Sequence, residues 1–256
     1  MKYEEYKEIY FKLKTPSDIE RLAKSTGLDK ELLLVMYTQR TVRDATRRYH
    51  IVKAQVPKIL KAWKEGDSVL SLSKELNFPP ILLAMLIFQA NRMPRKIFWK
   101  YIRDPESCKD QRIKKEMLKI NAADIIYSPK GMEVQEKRGQ WGEKQLQEWL
   151  DIHGLKYRTE AELRGKYPKT PDALLAEPME LNGVVINWIE SKASFGDEVE
   201  LKKNIRKQLK PYTELFGNGA VVYWFGYIEG IEPIEGVTLF GRELAEMNPI
   251  CPVRKG

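Results

Sequence analysis

Histidine and cysteine are scarce in this chain of 256 residues: His50 and His153, Cys108 and Cys251. Two histidines leave almost no material for a zinc finger or for a histidine-based nuclease. Two cysteines do not make a disulfide framework, and they point to a reducing cytoplasm. Long apolar runs are missing as well. The most apolar stretch, Ile81 to Phe88, is far shorter than the ~20 residues a helix needs to cross a bilayer. The opening from Lys2 to Lys14 is charged, unlike a secretory signal, so no membrane partner is expected. Charge, by contrast, is abundant. Lys and Arg number 44 against 36 Asp and Glu, a net charge of +8, which suits a polyanionic partner. At 43% hydrophobic the chain can also build real cores, and its length fits about two domains.

Residues 1–128 read as almost wholly helical. Thr15-Pro16-Ser17-Asp18 opens a helix that Gly27 breaks, and Leu28-Asp29-Lys30-Glu31 opens a second one. About fifty residues later the layout returns: Val69, Leu72, Asn77, Phe78 and Leu82 stand where Ile19, Leu22, Gly27, Leu28 and Leu32 stood. Gly27 and Asn77 both tolerate a left-handed turn. Short helix, turn, apolar residue and second helix is the helix-turn-helix rhythm; a helical bundle with two such corners is the plainer reading. Basic rows accompany both corners. Arg40, Arg43, Arg47, Arg48 and Lys53 follow the first, and Arg92, Arg95 and Lys96 follow the second. They are candidate phosphate contacts, which position a protein without reading sequence; a solvated basic face is the alternative. Asn121 to Gln135 loses helical periodicity and contains Ser128-Pro129-Lys130-Gly131, which sets the expected domain boundary, 1–128 and 129–256.

The second half turns on a β-hairpin. Two apolar arms, from Thr170 to Leu175 and from Val184 to Lys192, flank Asn182-Gly183. Asp172 stands at the outer end of one arm. Glu190 and Lys192, two apart and so on one face, stand at the outer end of the other. Carboxylates meeting beside an ammonium can hold a divalent cation and face a phosphate. Parity tests this idea. A strict two-residue turn with no bulge puts the acids on opposite faces. A three-residue loop pairing Glu180 with Val184, or a compensating bulge near Pro178, brings them together, and the loop version sets Asp172 opposite Lys192. A solvated hairpin tip with an ion pair is the rival.

Around the hairpin, a helix is expected from about Glu143 to His153, with Glu143 on its inward face in the first turn. Leu155 to Leu163 suits an edge strand. A helix from Gly196-Asp197-Glu198 to Phe216 carries Gln208 beside its apolar face and is kinked by Pro211; Ala220 to Tyr227 is an apolar strand. The segment after Glu229 is left without a role.

Pro171-Asp172 followed by Glu190-Ser191-Lys192 resembles the PD-(D/E)xK nuclease signature. E-x-K also occurs at Glu5 and Glu200, yet only the Glu190 copy ends an apolar strand. The order helix, three strands, helix, strand is similar to the restriction-endonuclease-like core of that superfamily, including archaeal Holliday junction resolvases, and Arg138-Gly139 ahead of Glu143 resembles the resolvases' first-helix motif. Thr170-Pro171-Asp172 narrows the likeness to the TPD family, to which the animal codanin-interacting nuclease belongs. The resemblance implies a helix-turn-helix-rich all-α region followed by an α/β domain with a central mixed sheet flanked by helices. It implies a Mg²⁺- or Mn²⁺-dependent endonuclease acting on branched or duplex DNA, as a homodimer in the cytoplasm, near the nucleoid. Asp172 and Glu190 would bind the metal, with the Ser191 carbonyl and Glu143 completing the site. Lys192 would orient water or offset charge, and Gln208 is a further candidate. The alternative is a DNA-binding or scaffold protein whose nuclease fold is degenerate; the intact Asp172, Glu190 and Lys192 argue against it.

Overall fold

The computed structural model describes residues 1–232 and 234–250; Cys251 lies outside the described residues. The chain forms two compact units. One contains Met1–Met36 and the chain from Arg138 onward, and the other is Tyr37–Lys137. The expected division at residue 128 is therefore not where contacts thin out. The first helices return to the sheet-bearing unit, which requires contacts distant in sequence that no local pattern announces.

Helices α1 (Tyr3–Lys12) and α2 (Pro16–Thr26) precede the long α3 (Lys30–Ala54). At the head of α2 the Thr15 N–H donates to Asp18 Oδ2 (2.7 Å), and Gly27 ends the helix in left-handed conformation, φ 72°. The helical unit continues with α4 (Val56–Glu65), α5 (Val69–Leu76), α6 (Pro80–Ala90), α7 (Arg95–Arg103) and α8 (Gln111–Ala123). The second corner is real: Asn77 takes a left-handed φ of 45°, and the chain turns by 118° between α5 and α6. Its second helix is committed elsewhere, however. Ile81, Leu83, Ala84, Leu86, Ile87 and Phe88 are buried among Trp63, Phe98, Met117 and Ile120. α6 carries no charged side chain and no polar face for reading base edges, so it is the core of this unit. Among the described residues no single helix is long and apolar enough to cross a membrane.

α9 runs from Pro129 to Ile152 without interruption, where a boundary and a start near Glu143 were expected. Its glycines disfavour a helix intrinsically, but tertiary packing outweighs propensity. A Cβ at Gly142 would lie 2.8 Å from Trp224 Cδ1 and 3.2 Å from Ser191 Oγ, so glycine is what lets α9 lie against the sheet there.

The sheet has five strands in sequence order: β1 (Tyr157–Thr159), β2 (Ala173–Leu181), β3 (Val184–Lys192), β4 (Gly219–Tyr223) and β5 (Val237–Phe240). β1–β2–β3 are antiparallel, whereas β3–β4–β5 are parallel, so the sheet is mixed. The expected edge strand is shorter than the pattern suggested, because Thr159 and Glu162 start a helical turn, α10 (Glu160–Leu163), in its place. The segment after Glu229 supplies β5. Below the sheet, α11 (Glu198–Asn204) passes through a π-helical turn at Ile205–Leu209 into α12 (Lys210–Phe216). Pro211 accounts for that turn: it has no N–H, and its ring crowds the carbonyl four residues back, so the regular ladder cannot continue through it. Leu201, Leu209 and Tyr212 from these helices bury Leu174, Trp188, Val221 and Tyr223 of the sheet. A Cβ at Gly219 would fall 2.1 Å from the Trp188 ring, whose Nε1–H donates to Gly217 O (2.8 Å).

Candidate active site

The hairpin turn is the two-residue kind. Leu181 pairs with Val184, and Asn182 and Gly183 both have positive φ, 50° and 77°. The three-residue loop pairing Glu180 with Val184 is thus corrected. The bulge near Pro178 is present: the register shifts between Leu174 and Met179. Proline cannot donate to a ladder, and Ala176 and Glu177 beside it are exposed, so the strand leaves its register there. Between those pairs β2 advances five residues while β3 advances two, from Met179↔Ile186 to Leu174↔Trp188. Three extra residues, an odd number, invert the faces. Continuing from Ala173↔Ile189, Asp172 lies opposite Glu190, and not opposite Lys192 as the loop version had it.

Backbone and side chains lock this pair. The Asp172 N–H donates to Glu190 Oε2 (3.3 Å), and the Ser191 N–H donates to Asp172 Oδ2 (2.8 Å). Lys192 Nζ lies 2.5 Å from Glu190 Oε1 and donates to Gln208 Oε1 (2.8 Å), while Gln208 Nε2 donates to Glu190 Oε1 (3.0 Å). Gln208 therefore closes a triangle with Glu190 and Lys192, and it does so from the π-helical turn. Tyr212, one turn on, donates its hydroxyl to Thr170 O (2.8 Å), tying this helix to the residue two before Asp172.

Burial dominates the electrostatics. Glu190 is 2% exposed. Burial first, then the Glu190 charge, push the Asp172 carboxyl up to about 8; the Ser191 N–H and the Lys192 charge oppose the shift. Glu190 is raised by burial too, against Lys192. Desolvation and the two acids beside it likewise raise the Tyr212 hydroxyl. Glu143 is exposed, so its expected inward placement is corrected, yet its charge still reaches Asp172 and adds to the upward shift.

The two carboxylates offer oxygen donors, which suit a hard divalent cation. Two acids held face to face share one ammonium, that of Lys192, and a bound cation would supply the further positive charge. Among the described residues no three His, Cys, Asp or Glu side chains come together as a metal cluster. Backbone, water or a phosphate oxygen would have to complete the shell, as is common for Mg²⁺.

The basic candidates of the helical unit divide. Arg48 donates to Leu76 O (2.6 Å) and Asn77 O (2.7 Å), capping α5. Arg47 is bonded to Asp44, and Arg40 lies 3.6 Å from the same carboxylate. Arg43 is half-buried, whereas Lys53, Arg92, Arg95 and Lys96 are exposed. Capping by Arg48 depends on the fold of a corner 28 residues away, which spacing alone does not reveal.

Residues 109–240 match the TPD family, described as proteins of unknown function carrying the TPD sequence motif. The match covers just over half of the chain, and the chain belongs to this family. Thr170-Pro171-Asp172 lies inside it, with Glu190 and Lys192. Over 172 residues, 64% of this chain, the sequence is 34% identical to the CDAN1-interacting nuclease 1 of Xenopus laevis and 33% identical to that of Homo sapiens. Those alignments cover 57% and 61% of the two relatives, so the chain matches about three fifths of their length. No solved structure matches.

Proposed function

We propose that this chain is a metal-dependent nuclease of the PD-(D/E)xK type, cutting phosphodiester bonds in DNA. The facing carboxylates of half-buried Asp172 and buried Glu190, with Lys192 held at their side by Gln208, carry this reading. Relatives named as nucleases support it. Asp172, Glu190 and the Ser191 carbonyl would hold Mg²⁺ or Mn²⁺, with exposed Glu143 reaching it through water. Bound there, the cation would supply Lewis-acid neutralisation of a phosphate and an activated water. The chain's own residues supply position. Ser191 and the Asp172 amide fix the two carboxylates, and Glu190 with Gln208 aim the Lys192 ammonium. That ammonium can align the attacking water and offset charge developing on the phosphate oxygens. Selectivity for branched DNA, as a homodimer, is the resolvase-like version of this proposal.

The test is cleavage of branched, flapped, single-stranded and duplex DNA, with Mg²⁺ or with EDTA. Wild type should cut at least one of these with Mg²⁺ and none with EDTA. Asp172→Ala and Glu190→Ala should abolish cleavage and still fold, because a metal site at a strand end carries little of the core. Cleavage at the wild-type rate by either variant would remove that residue from the site. A wild type that cuts nothing would favour the degenerate scaffold.

A further inference from the structure

Trp141 on α9 is 38% exposed, while Trp149, Trp188 and Trp224 are buried. Although partly in water, its ring is well gripped. Its centroid lies 5.9 Å from that of Trp224, with the planes at 67°, and 5.9 Å from that of Phe225, at 51°. Phe225 is braced in turn: the guanidinium carbons of Arg138 and Arg242 lie 5.9 Å and 5.3 Å from its centroid. Glu31 holds Arg138 at 3.3 Å and Asp29 holds Arg242 at 3.5 Å. Arg242 Nε–H also donates to Trp224 O (2.7 Å). A ring fixed by tilted neighbours and still open to solvent has surface left for another planar partner.

Its place in the chain says which partner. The next residue is Gly142, whose missing Cβ leaves room for Ser191 Oγ and the Trp224 ring. Trp224 Nε1–H donates to that same Ser191 Oγ (2.8 Å), and the Ser191 N–H donates to Asp172. The residue after Gly142 is Glu143, whose charge Asp172 feels. At Gly142 the helix thus lies against β3 on the face of Ser191, opposite to that of Glu190 and Lys192. Exposed Glu143 flanks this contact on one side, and Trp141 on the other rests on Trp224 and Phe225.

We propose that Trp141 is a stacking platform for an unpaired nucleobase of the substrate strand, at the end of the sheet where Glu190 and Lys192 stand. The site would then favour DNA with single-stranded nucleotides beside the cut over continuous duplex. This rests on the nuclease reading above and deepens it. A base inside a duplex is already stacked on both faces and has none to offer an indole. An unpaired base has one, whatever its identity, so the contact selects structure and not sequence. The net charge of +8 supplies the phosphate attraction that brings either form to the surface.

Fluorescence anisotropy of labelled single-stranded and blunt duplex DNA of equal length, titrated in EDTA with full-length protein, tests this. Trp141→Leu keeps apolar packing on Trp224 and Phe225 but removes the indole; Trp141→Phe keeps an aromatic face. Trp141→Leu should bind the single strand about tenfold more weakly and the duplex within about twofold of wild type, while Trp141→Phe recovers most of the loss. Thermal melting of each variant, expected close to wild type, excludes misfolding as the cause. Unchanged single-strand binding by Trp141→Leu, an equal loss on duplex, or an equal loss in Trp141→Phe each overturns the proposal. So does a wild type that binds neither DNA. Because these titrations need no catalysis, their failure is distinct from failure of the nuclease reading, which is judged by Mg²⁺-dependent cleavage in parallel.

Discussion

Each of the two units draws a pair of acids at least partly out of solvent, and the pairs are treated in opposite ways. In the helical unit Asp124 is 5% exposed and accepts three backbone N–H groups: Ile81 (3.2 Å), Ile126 (3.0 Å) and Tyr127 (2.7 Å). Glu116 accepts the Val69 N–H at 3.0 Å. These acids take up amides at the starts of α5 and α6, where the helix dipole also favours negative charge. In the sheet unit Asp172 receives one N–H and faces a second carboxylate. Burial raises the carboxyl of Asp124 as it does that of Asp172, but no neighbouring acid adds to the shift at Asp124. Burial and a displaced pKa are therefore not what mark a site. The mark is a carboxylate whose surroundings leave it repelled by a neighbour that the fold holds in place.

The sharpest way to break this comparison is to remove the cation that the sheet unit brings to its acids. Lys192→Ala should lose cleavage by about 10²-fold or more, the scale of one preorganised electrostatic contact, while keeping DNA affinity. Lys192→Arg should restore little, since a planar fork does not put charge where a compact ammonium does. Single-turnover cleavage beside filter binding on the same preparations measures both. Cleavage by Lys192→Ala within a few-fold of wild type would reduce the lysine to an ion-pair partner of Glu190, and the two pairs of acids would look alike.

A second test acts on the helical unit. Asp124→Ala leaves the Ile81, Ile126 and Tyr127 amides without their acceptor, which should cost about 2 kcal/mol of stability. Urea denaturation measures it. Cleavage per folded molecule should stay at the wild-type level, because this acid serves the backbone alone. A large fall in turnover with stability unchanged would place Asp124 in the chemistry and dissolve the distinction.

What could be read beforehand follows the same divide. The hairpin, its Asn-Gly turn and the convergence of Asp172 with Glu190 follow from alternation and parity, which are local. Even the bulge was legible, since Pro178 cannot donate to the ladder and the acids need an odd insertion to meet. Gln208 was reachable because it borders the apolar stripe of its helix. The π-helical turn that presents it comes from Pro211, which announces only a kink. Long-range matters stayed hidden. The return of residues 1–36 to the sheet unit, the capping of α5 by Arg48 and the grip of Trp224 and Phe225 on Trp141 depend on where distant segments meet. Glycines at 139 and 142 misled for a related reason: they read as a break, yet one of them serves helix–sheet contact inside a continuous helix.

The most direct check on the difference between the pairs is the pH dependence of stability. Asp172 has a carboxyl raised to about 8 by burial and Glu190. A carboxyl whose native pKa lies above its unfolded value of about 4 contributes stability that is full below that value. The contribution is lost as pH rises through the native pKa. Metal-free wild type should accordingly lose stability between about pH 4 and pH 8 on account of this residue, the reverse of an acid in an ordinary salt bridge. Asp172→Asn keeps the shape, cannot ionise, and can donate an amide N–H to Glu190. In EDTA it should melt above wild type at pH 8 and match it near pH 4, where the unfolded carboxyl is still largely protonated. Adding Mn²⁺ at pH 8 should reverse the order, because a cation that binds the native state stabilises only the protein that retains both carboxylates. Thermal melts at the two pH values, with and without Mn²⁺, give the answer. If Asp172→Asn is less stable than wild type at both pH values in EDTA, Asp172 is a structural acid like Asp124, and its facing of Glu190 is no sign of a cation site.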